Sequence, residues 1–296
     1  MSPGHRADPF VAHRSLLFTV AYELLGSAAD AEDVVQETWL RWDGIGPDAQ
    51  ADVREPRAYL VRIVTRQALN RLRTLARRRE QYVGEWLPEP LLTTPDVAED
   101  VELAESVSLA MLTVLETLTP TERAVFVLRE VFDLPFEEIA EATGKSVAAA
   151  RQVAHRARSH VASRRPRMRV DRTEQQRVVE RFLAAVNNGD LQQLMDVLAP
   201  DAVLIADGGG VVQAVLRPVV GAKKICNLVR NFPTAVPTGV FEPMLLNGAP
   251  GARLVVDDQL DTVVGFAFEN GRISRIFTVR NPEKLGRVAE ETTLIR

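Results

Sequence analysis

The chain has 296 residues, 46% hydrophobic and 26% charged, with a formal net charge of −4. That length predicts two or three globular domains, and a single cysteine, Cys226, excludes a disulfide scaffold and a thiolate zinc centre. No run approaches the roughly 18 uninterrupted apolar residues of a membrane span, and residues 1–10, with Asp8 and two prolines, do not read as a signal peptide, so a cytoplasmic protein without membrane attachment is expected.

From Phe10 to Arg79 the period is helical. Leu16, Val20 and Leu24 form one apolar stripe; Val34, Val35, Trp39 and Trp42 form another. Asp30 is placed as an N-cap, with acids in the first turn favouring the helix dipole. Residues 30–52 hold seven acids and one base. Gly44 to Asp52 reads as a loop, and Pro56 as the start of a helix over 57–79. Leu60, Val64, Ala68 and Leu75 face a core on that helix, and Arg62, Arg66, Asn70, Arg73 and Arg77 fall on the opposite side. Residues 54–79 carry nine arginines and one acid. Such a face repels itself unless a polyanion neutralises it; the plainer reading is a solvated basic face.

Pro88, Pro90 and Pro95 bar a long helix from residues 80–101, which read as an acidic linker. Trp86 and Leu87 are too apolar for a passive one. Residues 86–122 contain eight acids and no base. Residues 102–118 are helical again. Pro135 to Gly144 reads as a short helix ended by a glycine turn. Ser146 then caps a second helix whose apolar positions are Val147, Ala150, Val153, Ala154, Ala157 and Val161. Arg151, Gln152, His155, Arg156 and Arg158 lie between them. This is the layout of a helix-turn-helix, in which Arg and Gln can read guanine and adenine in the major groove. Residues 145–169 hold eight bases and no acid, and Arg164, Arg165, Arg167 and Arg169 can neutralise phosphates. An ordinary helical hairpin with a basic face is the alternative. His155 and His160 stand five apart without nearby acid ligands, so neither a metal nor another cofactor is expected.

A helix from Arg172 opens a region of different character. Ala202 to Ala206, Leu254 to Val256, Thr262 to Phe268 and Ile273 to Val279 read as strands, and Asn270-Gly271 as a hairpin turn. Asp207 before Gly208, Gly209 and Gly210 reads as a turn acid. No Gly-Lys-Ser/Thr follows those glycines, so they are not a phosphate loop. Cys226 is expected to be a buried apolar residue.

Taken together, these segments resemble the extracytoplasmic-function (ECF) sigma factors of bacterial RNA polymerase. Asp30-Ala31-Glu32-Asp33-Val34-Val35-Gln36-Glu37-Thr38-Trp39-Leu40-Arg41 is similar to the region 2 helix that docks on the polymerase. Arg54 through Arg73 looks like the helix that meets the melted −10 element. Leu118-Thr119-Pro120-Thr121-Glu122-Arg123, followed by the helix-turn-helix, resembles region 4, which reads the duplex −35 element. Trp86-Leu87-Pro88-Glu89-Pro90-Leu91, Asp207-Gly208-Gly209-Gly210 and Asn281-Pro282-Glu283-Lys284-Leu285 look like hallmarks of sigma factors with a fused SnoaL-like domain. Asn70 stands where the family usually has Asp, Arg66 near a common Asn, Val153 where a polar residue is frequent, and Val211 where Lys is usual.

The resemblance implies two all-α helical domains, a region 2 bundle and a region 4 helix-turn-helix, followed by an α+β SnoaL-like cone. Region 2 is set at 10–79, the linker at 80–101, region 4 at 102–168, the cone at 173–285 and a tail at 286–296. It implies core RNA polymerase and promoter DNA as partners, with Asp30, Asp33, Gln36, Glu37 and Arg41 on the polymerase. Arg57, Arg62, Arg66, Asn70 and Arg73 would meet the −10 strand, and Arg151, Gln152, His155, Arg156 and Arg158 the −35 duplex. Trp86, Leu87, Pro88, Asp207, Gly208, Gly209, Gly210, Asn281, Pro282, Lys284 and Leu285 would carry interdomain regulation in place of a separate anti-sigma factor. No enzyme is expected: residues 173–296 contain no His, Tyr or Trp for acid–base work or an oxyanion donor. A small ligand of the cone is left open. So are a one-component regulator that binds DNA without polymerase, and a cone that keeps enzyme activity.

Overall fold

The computed structural model describes residues 8–164 and 171–296. Arg165, Arg167, Arg169 and the side chain of Arg77, singled out above, lie outside the described residues. The chain divides into two compact units. One combines residues up to Arg78 with Leu115–Ser163 and Thr293–Arg296; the other combines Arg79–Val114 with Arg164–Thr292.

The first unit is helical. α1 (Pro9–Leu25) is capped by Asp8 and stopped by Gly26, whose φ of 66° suits glycine. α2 (Ala28–Gly44) is capped by Ser27, whose hydroxyl accepts from the Asp30 amide; Asp30 therefore sits in the first turn and is not itself the cap. The expected loop at 44–52 contains a short helix, α3 (Gly46–Asp52), tied back by Gln50 Nε2 donating to the Trp42 carbonyl at 2.8 Å. Val34, Val35 and Trp42 are buried as a stripe, but Trp39 is 40% exposed and lines an open groove with Phe10 and Arg14 of α1. α4 (Pro56–Glu80) buries Leu60, Val64, Ala68 and Leu75 as its period requires.

α8 (Pro120–Phe126) opens on a complete capping box between Thr119 and Glu122, then widens into a π-helical turn over Val127–Val131 that packs on α1. Its Arg123 is 2% exposed. Arg123 donates to the Glu23 carbonyl of α1 at 2.9 Å and to Glu116 at 2.7 Å. Burial pulls this guanidinium's pKa down, and Glu23 pulls the other way. α9 (Phe136–Thr143), a left-handed Gly144 and α10 (Val147–Arg164) form the helix-turn-helix. Val153 is buried with Ala150, Ala154 and Ala157, so the position that departs from a polar pattern is a packing position.

The second unit is α+β. α11 (Arg172–Asn188) and α12 (Leu191–Val197) lead into β1 (Leu198–Asp207). β2 (Val219–Val220), α13 (Ala222–Val229) and α14 (Phe232–Ala235) follow. β3 (Val240–Leu246), β4 (Ala249–Val256), β5 (Gln259–Glu269) and β6 (Arg272–Val279) complete one six-stranded sheet, ordered β2-β1-β6-β5-β4-β3. β1 runs parallel to β6 and every other pairing is antiparallel. Asn270 and Gly271 both have positive φ (51° and 73°), the turn the dipeptide predicts. β2 and β3 escape a sequence reading because β2 is two residues long and β3 carries Pro243. A proline is tolerated there because β3 is an edge strand.

Side chains alternate across the sheet. Leu204, Val264, Phe266, Phe268 and Ile276 face α11–α13, meeting Phe182, Ile225 and the buried Cys226. Ile205, Val263, Ala267, Phe277 and Val279 face the other way, where Leu87, Leu109, Ala110, Leu285 and Val288 cover them. That cover comes in large part from the segment expected to be a linker and the helix after it. It contains α5 (Pro95–Glu99), α6 (Val101–Val107) and α7 (Leu109–Leu115), the last two separated at Ser108, whose hydroxyl caps α7. So residues 102–118 form two short helices where one was expected, and Leu87 to Leu91 are buried throughout. Gly265 admits the contact: a Cβ there would stand 2.7 Å from Leu109 Cδ1.

Asn247, fully buried in the β3–β4 turn, fastens this segment. Its amide oxygen accepts from the Leu91 N–H and its nitrogen donates to the Val107 carbonyl, both at 2.9 Å. Its φ of 51° is one a glycine also adopts, so Asn247→Gly removes the side-chain bonds without adding backbone strain. Two buried groups then lack partners, a loss of about 2–4 kcal/mol. Hydrogen exchange is expected to speed up at the Leu91 amide while the β5–β6 amides keep their protection.

Candidate functional site

The described side chains fall into three clusters. On α2, Asp33, Gln36 and Arg41 are exposed and Asp30 and Glu37 half-buried at the margin of the stripe that buries Val34 and Val35. Three of the acids converge on one guanidinium from α4. Arg71 Nη1 donates to Asp30 Oδ1 at 3.1 Å and to Asp33 Oδ2 at 3.3 Å, and Nη2 to Glu37 Oε1 at 3.1 Å. Gln67 Nε2 donates to the other Glu37 oxygen at 2.9 Å. Partial burial lowers the Arg71 pKa, and the carboxylates more than reverse this, so it ends above its ordinary value.

On α4, Arg62, Arg66, Asn70 and Arg73 share one face as the spacing predicts, and Arg57 lies half-buried at the N-terminal turn. Asn70 Oδ1 accepts from Arg73 Nη1 at 2.9 Å. Arg62 reaches α9, pairing with Glu141 at 2.8 Å, and Arg66 donates to the Glu141 carbonyl at 2.7 Å. Arg151, Gln152, His155, Arg156 and Arg158 are all exposed along α10. Arg158 pairs with Glu130 at 2.7 Å, while Arg151 and Arg156 stand 3.7 Å from Glu137 and Glu122.

The third cluster is buried in the α+β unit. Asp207 ends β1 on the face covered by residues 87–110. Its Oδ1 accepts from Tyr82 OH at 2.5 Å and from the Gly209 amide at 3.0 Å. Its Oδ2 accepts from the Leu87 amide at 2.9 Å and from Lys284 Nζ at 2.7 Å. Lys284 also donates to the Leu87 carbonyl at 2.6 Å and lies 3.2 Å from the centre of the Trp86 ring. Asn281 donates to Tyr82 OH at 2.9 Å and takes the Glu283 amide on its own oxygen. The glycines follow from this crowding: a Cβ on Gly209 would sit 2.5 Å from Asn281, one on Gly210 2.9 Å from Val83, and one on Gly208 2.6 Å from the Val212 carbonyl. Asp207 is thus a turn acid, as expected, and also the centre of an anchor.

Trp86, Leu87, Asp207, Gly209, Asn281 and Lys284 therefore meet directly. Leu285 adds to the apolar cover, and Val288, one turn further on, is buried beside it. Pro88 is buried and Pro282 starts the short 3-10 turn that carries Lys284. Tyr82, Asn247, Arg71 and Glu141 belong to this architecture but carry no motif signal; only pairing across the fold reveals them. All four donors on Asp207 come from the protein, so it has no free oxygen to act as a base. On the sheet face towards α11–α13, Phe266 packs against Phe182 and Phe268.

Residues 10–78 match Sigma-70 region 2, and residues 108–161 match Sigma-70 region 4. The chain is 37% identical to the ECF RNA polymerase sigma factor SigJ of Mycobacterium tuberculosis, over 93% of this chain and 91% of that one. It is 32% identical to the "Probable ECF RNA polymerase sigma factor SigI" of the same species, over 93% and 92%. The crystal structure of M. tuberculosis SigJ superposes with a TM-score of 0.76 at 34% identity, covering 94% of this chain and 98% of that chain. A helical sigma-factor body with an added α+β domain is the class these features define. The chain belongs to the ECF RNA polymerase sigma factors.

Burial pushes the Lys284 ammonium down to about 8 against the pull of Asp207. Burial and Asp207 together raise the Tyr82 hydroxyl. The unfolded lysine titrates near ~10.4, so the folded chain holds this proton more weakly. The Lys284 contribution to stability is therefore full above ~10.4 and lost as pH falls through about 8. Between pH ~8 and ~10 the urea midpoint of the native chain should climb relative to Lys284→Met, which has no such proton.

Proposed function

We propose that the chain docks on core RNA polymerase through α2, holds the melted −10 strand on the Arg62–Arg73 face of α4, and reads the −35 duplex with Arg151, Gln152, His155, Arg156 and Arg158. Arginine faces suit phosphates and unstacked bases in the first case and guanine edges in the second. The α+β domain acts as a regulator and not as a catalyst. The observation that carries this is the Asp207–Lys284 anchor: the segment joining the region 2 match to the region 4 match is clamped at Leu87 and again at Leu91. A clamped connector sets how far apart the two DNA-reading regions can be placed, which is the spacing a promoter must satisfy. The fused domain thereby takes the place of a separate anti-sigma protein.

Transcription with core polymerase on promoters that differ by single base pairs in the −35 to −10 spacer tests this. The full chain should favour one spacer length, and Asp207→Asn should broaden or shift that preference while core binding holds. An unchanged spacer profile, with Leu87 shown by hydrogen exchange to be released, sinks the regulatory reading. Tight specific duplex binding by the free chain, with no transcripts, points instead to a regulator that works without polymerase.

In the free chain Glu141 occupies Arg62. Glu141→Gln removes that ion pair but leaves the carbonyl bond to Arg66. An exposed pair contributes at most about 1 kcal/mol. A fluorescent single-stranded oligonucleotide should bind the variant about two- to five-fold more tightly, and binding should still weaken as salt rises.

A further inference from the structure

α4 presents a buried stripe and a basic face, and the stripe turns polar at its margin, where it meets α2. Leu60, Val64 and Ala68 enter the core, Arg62, Arg66 and Asn70 form the basic face, and Gln67 and Arg71, one turn apart, point at α2. We infer that Arg71 is a positioning residue for polymerase docking: it gathers Asp30, Asp33 and Glu37 into a fixed array on α2 and ties that array to the helix that carries the basic face. The inference rests on the reading of α2 as the polymerase-facing helix.

The geometry supports a scaffold and not a casual surface pair. Asp30, Asp33 and Glu37 lie along one side of a single helix, where like charges repel. One planar guanidinium reaches all three from two nitrogens in fixed geometry, a span that a compact ammonium on a flexible stem does not hold. Arg71 is 26% exposed and Asp30 17%, whereas Asp33 and Glu37 remain 58% and 45% exposed and available to a basic partner. Gln67 fixes the second Glu37 oxygen from the same face of α4. Three acids against one base leave the array anionic, so the ion pairs orient the carboxylates without cancelling them.

Charge and position predict opposite outcomes. Removing Arg71 makes the α2 face more acidic, so simple attraction to a basic surface would tighten binding. If the array must be held, removal weakens it. We expect Arg71→Met to bind core RNA polymerase about five-fold more weakly than the native chain. Arg71→Lys keeps the charge, loses the fork, and should weaken binding by a similar factor, which separates position from charge should Arg71→Met fold poorly. In an Asp33→Asn, Glu37→Gln background, Arg71→Lys should have no further effect, whereas a general loss of structure would add to it. Tighter or unchanged binding by both Arg71 variants, with Glu37→Gln still weakening it, overturns the inference and leaves the α2 reading intact. If the carboxylate variants themselves bind core normally, the α2 reading fails and the inference falls with it.

Discussion

The second unit depends on one buried ion pair, that of Asp207 with Lys284. Burying a carboxylate and an ammonium costs several kcal/mol each in desolvation unless further hydrogen bonds compensate. Here they offset part of that cost: the carboxylate receives four donors, and the ammonium, still held below its ordinary pKa by burial, has a carbonyl and an indole face besides its counter-ion. Two of those partners, the amide and carbonyl of Leu87, are backbone. The pair therefore recognises a strand of chain and not merely a side chain. Everything else on that face, from the glycine turn to the docking of Leu109 on Gly265, extends the same seat.

The helical unit uses charge differently. Its buried guanidinium, Arg123, is paired with Glu116 and donates to the Glu23 carbonyl of α1, which joins the region 4 match to the region 2 match. Several of its exposed pairs involve arginines proposed to meet DNA, Arg62, Arg151 and Arg158 among them. Exposed pairs contribute little to stability and are exchanged at little cost. A polyanion can therefore displace the acids paired with the arginines of α4 and α10, whereas stripping Arg123 of its partners would leave a stranded charge.

How much of this is legible in the sequence follows from periodicity. Long amphipathic helices declare themselves: α4 with Leu60, Val64 and Ala68 inside, and α10 with Ala150, Ala154 and Ala157 inside. The Asn270-Gly271 turn does so through the φ > 0 it needs. Prolines correctly deny residues 88–95 a long helix, but they cannot show that the same stretch is interior. A buried segment stapled by backbone hydrogen bonds has no period to read. The residues that anchor it stand out as motifs, while Tyr82 and Asn247 do not, because an isolated Tyr or Asn looks the same whether it faces water or a backbone amide. Arg71 is hidden among eight other arginines in residues 54–79 for a similar reason: composition reports a basic block and cannot separate one that faces α2 from those that face outward.

The order of synthesis gives the anchored segment a further consequence. Arg79–Val114 leaves the ribosome well before Arg164–Thr292, the part that completes its unit. Leu87, Leu109 and Ala110 thus emerge with no sheet to cover them, and β1 waits for β6, the last strand, to pair in parallel. Until then the nascent chain carries an apolar stretch held only by its prolines and acids. Prolines keep it from joining a neighbouring strand edge, and like charges keep it from its own kind. The eight acids of residues 86–122 thus fall on the stretch that must wait longest for its platform, where like charges oppose self-association.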